Sequence, residues 1–124
     1  MNYMKAEKMK VLLVATVQSH ICQFHKPLVA MLHEHGCEVH VAARNNLAEK
    51  NGLKLDFVEQ VFDVPFQRSP FSPKNLGAYK QLKKIIDEGG YDVVHCNTPV
   101  GGVVGRLAAR KARKRGTTVF YTAH

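Results

Sequence analysis

Two phosphate-binding signatures are missing from this chain. No G-x-G-x-x-G follows the first apolar run, where the residues read Thr16, Val17, Gln18, Ser19 and His20. The next strand-like run closes on Ala42, Ala43 and Arg44, with no acidic residue to take a ribose hydroxyl, so an NAD or FAD enzyme is disfavoured. No G-K-[ST] occurs either, which removes a P-loop. Cysteine is scarce: Cys22, Cys37 and Cys96 lie in apolar or helical surroundings without paired spacing, which reads as a reduced, intracellular chain. Long apolar runs are absent near the start, where Val11 to Val14 is too short for a signal core or a membrane span. The expectation is a soluble cytoplasmic protein, with peripheral contact on the inner face of the cell membrane left open. Acidic residues are few, 10 against 18 Lys and Arg, and the net charge of +8 favours an anionic partner. Nucleic acid is the weakest of these, because no recognition motif or row of stacking aromatics accompanies the charge.

What is present is a βαβ pattern in a chain of 124 residues, 45% hydrophobic, enough for one domain and one core. Lys10 to Thr16 reads as a central strand, buried on both faces, followed by a turn from Val17 to Cys22. Phe24, Leu28, Met31 and Leu32 then recur at helical spacing to Gly36, with Pro27 either in the first turn or at a kink. Glu38 to Ala43 and Val58 to Val64 are the second and third strands. A helix from about Lys74 to Glu88 is expected to bury Leu76, Tyr79, Leu82 and Ile86. Asp92 to Cys96 is the fourth strand, Thr98-Pro99 a helix start, and Val119 to Thr122 the fifth strand. Val100, Val103, Val104 and Leu107 give the intervening helix its apolar face. There is no repeat, low-complexity segment or linker. The fold class is therefore α/β, a Rossmann-like three-layer sandwich over residues 1–124, with a parallel sheet of about five strands in the order 3-2-1-4-5. Ligands of such sheets gather at the carboxyl ends of strands beside the switch point, which here means the loops 17–22 and 97–102.

The candidate chemistry is modest. Gly101, Gly102 and Gly105 either receive a phosphate at a helix start or simply allow close helix-to-sheet packing. Seven histidines invite a metal, but His33 and His35 point to different sides of a helix and no ligand spacing appears. Solvated histidines are the expectation, with no metal. Cys22 and His25 stand three apart, where a helix start would lower a thiol pKa, yet nothing supplies an orienting group. His20 lies in the switch-point loop, and Cys96 belongs to the core, with His95 facing the other way. Lys80, Lys83 and Lys84 on one helix and Arg106, Arg110, Arg113 and Lys114 on the next make a basic flank. It is either a solvated face or one that meets anionic lipid.

The ordered blocks VLLVATVQSHICQFHKPLVAMLHEHGCEVHVAA, VPFQRSPFSPKNLGAYKQLKKII, YDVVHCNTPVGGVVGRLAAR and VFYTAH resemble the N-terminal domain of bacterial family 4 glycosyltransferases of capsular and exopolysaccharide synthesis. The resemblance runs from Lys10 onward. It implies one half of a GT-B enzyme that transfers a sugar from a nucleotide-sugar, UDP-linked, with retention of configuration and without a metal or other cofactor. The acceptor would be a saccharide, lipid-linked. Gln18, Ser19 and His20 would line the cleft. Gln67, Arg68 and Ser69, with Asn97, Thr98, Gly101 and Gly102, would lie on the acceptor side. His124 matches the family's T-A-H histidine, which approaches the transferred sugar. The family continues into a second, donor-binding domain that is not in these residues, so this chain alone is expected to be inactive. The rivals are a non-catalytic basic α/β module that binds anionic lipid or a protein partner, and a complete small nucleotide-binding enzyme.

Overall fold

In a computed structural model, which describes residues 9–47, 53–67, 73–97 and 107–122, the chain is built outward from its first strand. That strand, β1 (Lys10–Val17), is buried from Val11 to Thr16 and pairs in parallel with both β2 (Glu38–Arg44) and β4 (Val93–Asn97). β3 (Gln60–Asp63) extends the sheet beyond β2, and β5 (Thr118–Thr122) extends it beyond β4. The strand order is therefore 3-2-1-4-5, all parallel, as the sequence pattern predicts. Continuous apolar runs such as Val11-Leu12-Leu13-Val14 suit this position, because a strand covered on both faces needs no polar alternation.

Helices cover both faces. On one side Val11, Leu13, Val39 and Val41 pack against Ile21 of α1 (Gln18–Phe24) and Val29 of α2 (Lys26–Glu34). On the other, Leu12, Val14, Val94 and Cys96 meet Ala78, Leu82 and Ile86 of α3 (Lys74–Gly89) and Ala112 of α4 (Arg110–Lys114). α3 ends at Gly90, whose φ of 63° is the left-handed conformation that glycine adopts without steric cost.

Several local expectations are corrected, while Pro27 takes one of its two expected places, in the first turn of a helix. The segment after β1 is not a turn: α1 begins at Gln18, directly after Val17. The helix that follows is two helices broken at His25, with Pro27 in the first turn of α2, where its missing N–H costs nothing. In α3 the buried positions are Asn75, Ala78, Leu82 and Ile86, and Leu76 is 60% exposed. The polar Asn75 takes the inward place because its Oδ1 accepts the backbone N–H of Gln67 at 2.9 Å, closing the loop ahead of the helix. Leu107, expected on an apolar face, is 49% exposed, while Ala108 and Ala109 are buried. The helix start at Thr98-Pro99, with Val100, Val103 and Val104, lies outside the described residues.

The two leucines of α3 give a direct test. Leu82→Ala is expected to cost about 2–5 kcal/mol, through lost burial and the cavity left behind. Leu76→Ala is expected to stay within about 0.5 kcal/mol. Urea denaturation midpoints of the two variants check the assignment, and equal losses would contradict it.

Candidate functional site

The carboxyl ends of β1 and β4 lie side by side at the switch point, and two amide side chains pin the rim there. Asn97, the last residue of β4, is fully buried. Its Nδ2 donates to the Val14 carbonyl at 3.4 Å, and its Oδ1 lies 3.0 Å from Nε2 of His25. With the amide oriented by Val14, His25 must donate from Nε2, which fixes its neutral tautomer as Nε2–H. Across β1, Gln18 donates from Nε2 to the Ala43 carbonyl of β2 at 3.2 Å. Ser19 and Asn46 bond reciprocally: Asn46 Oδ1 accepts the Ser19 backbone N–H at 3.0 Å, and Asn46 Nδ2 donates to Ser19 Oγ at 2.8 Å. The register of β1 against β2 shifts between Val14 and Val17, where the strand bends into α1.

Of the residues expected in the cleft, Gln18 and Ser19 are therefore buried, at 3% and 4% exposure, and their polar atoms hold the rim together. His20 is half-buried, its ring centroid 5.2 Å from that of His25, and His25 lies 6.2 Å from His95. His95 in turn meets Phe120 of β5 edge-on at 6.4 Å. A row of rings thus runs from α1 across the middle of β4 to the middle of β5. Gln67 stands after β3, half-buried, with its side chain donating to the Pro65 carbonyl at 3.4 Å. Arg68, Ser69, Thr98, Gly101, Gly102, Arg106 and His124 lie outside the described residues.

His25 is the rim residue that sequence reasoning missed. It was legible only as a neighbour of Cys22, and the signal for its real role is the helix break that Pro27 imposes. The two do not form a reactive pair. Cys22 sits in the last turn of α1 rather than at a helix start, its Sγ 3.5 Å from the Lys54 carbonyl, and burial pushes its thiol pKa up, not down. Nor are the histidines uniformly solvated: His25 and His40 are buried at 5% and 7% exposure. His33 pairs with Glu59 at 2.9 Å, and Nδ1 of His35 bonds the Met31 carbonyl at 2.9 Å. Among the described residues no group of three or more His, Cys, Asp or Glu could hold a metal ion.

The basic flank is partly assembled. Lys83, Arg110, Lys111 and Lys114 surround Tyr79 and Leu107 in a groove of about 280 Å³ between α3 and α4, and Arg113 lines an adjoining one. Lys83 also bonds Asp87 at 2.6 Å. Lys84 turns away to a different cavity, and Lys80 is exposed. Among the described residues no helix is long and apolar enough to cross a membrane.

A parallel α/β sheet with its polar groups collected at the switch-point rim defines a Rossmann-like domain, and solved structures agree. The fold matches UDP-N-acetylglucosamine 2-epimerase with a TM-score of 0.68 at 16% identity, covering 94% of this chain and 32% of that one. It also matches the C-terminal domain of a hydrogenase from Pyrococcus furiosus with a TM-score of 0.62 at 17% identity, covering 98% and 96%. The sequence is more specific. Residues 10–124 match the family described as glycosyl transferase 4-like, and the chain belongs to that family. Over 115 residues it is 52% identical to "Putative glycosyltransferase EpsD" of Bacillus subtilis (strain 168), covering 93% of this chain and 29% of that protein. The chain thus spans less than a third of the curated relative it matches.

The core thiol next to the rim sets an alkaline limit on stability. Burial raises the Cys96 pKa from 9.0 to about 12, so the neutral thiol is favoured in the fold. Its contribution is fully present below pH 9.0 and is lost as pH rises toward about 12, because the unfolded thiol ionises first. Urea midpoints measured across that window are expected to fall more steeply for the native chain than for Cys96→Ala. Parallel slopes would contradict this assignment.

Proposed function

We propose that this chain forms the acceptor-side wall of the cleft of a retaining glycosyltransferase. The enzyme moves a sugar from a UDP-linked donor to a saccharide acceptor, carried on a lipid, in bacterial polysaccharide synthesis, and uses no metal. The observation that carries the reading is the family match over residues 10–124 together with 52% identity to a relative named as a glycosyltransferase. The rim geometry supports it. Gln18, Ser19, Asn46, His25 and Asn97 are tied to one another and to the strand ends by hydrogen bonds, so the rim is preorganised rather than assembled on binding.

On this rim His20 offers an imidazole ring to acceptor hydroxyls. Asn97 and His25 hold the end of β4 in place beside β1. His124, two residues beyond β5, is assigned by family resemblance to the donor sugar, which it orients. The donor pyrophosphate is assigned to a second domain outside these residues, in keeping with the 29% of the relative that the chain covers. Charge developing on the departing phosphate would be stabilised there. The +8 charge of the chain favours approach of a phosphorylated donor or acceptor.

A peripheral membrane contact is a second reading, and one observation favours it. The α3–α4 groove sets four basic side chains around Tyr79 and the half-exposed Leu107, a mixture suited to an anionic head group above an acyl boundary.

Assay of the complete protein with a panel of UDP-sugars and lipid-linked saccharides is expected to give a product that keeps the donor's anomeric configuration. His124→Ala should lower kcat by about 100-fold with the fold intact. An inverted product overturns the retaining mechanism, and near-normal turnover of the variant removes His124. Co-sedimentation with vesicles tests the membrane contact. Arg110→Glu with Lys114→Glu should weaken binding to anionic vesicles by about tenfold or more, and equal binding to neutral vesicles would contradict the contact.

A further inference from the structure

The opposite end of the sheet holds a cavity of about 340 Å³ that the transferase reading does not use, a volume in the range of small-molecule sites. It lies between the second half of α3 and the starts of β1 and β2, lined by His40, Phe62, Tyr91, Ile85 and, at the edge, Lys10, Lys84 and Glu88. Its walls are largely aromatic. The His40 ring stands 5.3 Å from that of Tyr91, nearly perpendicular, and 6.1 Å from that of Phe62. These rings are fixed by polar bonds: Nδ1 of His40 lies 2.7 Å from the Tyr91 hydroxyl, and its Nε2 bonds Glu38. His40 and Tyr91 are both more than nine-tenths buried.

The backbone is shaped to admit this wall. A Cβ at Gly89 would overlap the Tyr91 ring, so only glycine lets the ring lie against the end of α3. Lys10 adds a cation, its Nζ 5.1 Å from the Tyr91 ring centroid and bonded to the Gly89 carbonyl. Lys84 supplies a second, exposed cation at the mouth, beside the carboxylate of Glu88, while the Glu38 carboxylate is held in its bond to His40. Rigid rings inside and two lysine cations at the edge define what fits.

We propose that this cavity is a binding site, separate from the switch-point rim, for a small anion that carries a flat apolar ring. The ring lies among Phe62, His40 and Tyr91, and the anionic group faces Lys84 and Lys10.

The test titrates the isotope-labelled chain with phenylacetate and follows amide nitrogen–proton correlations. Saturable shifts are expected at Ile85, Glu88, Gly89 and Tyr91 with a Kd of about 1 mM, leaving residues 18–20 and 97 unmoved. Acetate and benzylamine should each bind at least about fivefold more weakly. Lys84→Glu should weaken phenylacetate by about fivefold, whereas Lys80→Glu, exposed on the same helix and away from the cavity, should not. Equal binding of acetate would overturn the ring slot, and equal or tighter binding of benzylamine would overturn the charge assignment. No saturable shift, or shifts confined to the rim, would overturn the site itself. Because the readout is binding at the amino ends of the strands, it stands or falls apart from any transferase activity.

Discussion

Everything in this domain depends on β1 being paired in parallel on both sides. With β2 on one edge and β4 on the other, the chain leaves the central strand in one direction and returns to it from the other. The carboxyl ends of β1 and β4 are thereby left adjacent, with no helix passing between them, and a rim opens. Buried polar groups at such a rim must be satisfied, since each one left unpaired costs about 1–3 kcal/mol. The amides of Asn97 and Gln18 meet that demand from opposite sides of β1, one on Val14 and the other on Ala43. The same bonds that stabilise the split therefore fix the positions of the residues that face it.

The two ends of the sheet are built from different chemistry. At the carboxyl end amides and half-buried histidines prevail, groups that exchange hydrogen bonds with hydroxyls. At the amino end the polar groups of Glu38, His40 and Tyr91 bond one another, and what they present outward is the face or edge of a ring. Burial pushes the Tyr91 hydroxyl up to about 12, with the nearby Glu38 charge adding to the effect, so it stays protonated and can donate to His40. The two proposed sites lie at opposite ends of the strands, with the buried apolar run Val11 to Ala15 of β1 between them.

The sheet could be read from the sequence because doubly buried strands leave a plain mark: Val11 to Val14, Val39 to Ala43 and Val93-Val94 are short, valine-containing runs bounded by polar residues or turns. Strand order followed from the handedness and adjacency rules for parallel connections. The helices were less legible. In α3 Leu82 and Ile86 are buried as expected, but the first turn differs: Asn75, a polar residue drawn inward by a loop N–H that no periodicity reveals, takes the place expected of Leu76. The segment after β1 and the end of β4 do meet at the switch point, although the first of them is the helix α1 and not a loop. The division of labour there was not legible, because Gln18 and Ser19 look like ligand contacts in a sequence and only the fold shows their partners to be Ala43 and Asn46. His25 was hidden for the same reason, its partner being 72 residues away.

In the proposed function the carboxyl-end rim is one wall of the cleft in which sugar transfer occurs. Hydrogen–deuterium exchange of the complete protein, with and without nucleotide-sugar and saccharide acceptor together, tests it most directly. Slowed exchange is expected at the start of α1 and at the end of β4, around Gln18 to His20 and Asn97, with the amino ends of the strands unchanged. Slowed exchange confined to the far end of α3 and the start of β1, with the rim unaffected, would contradict it.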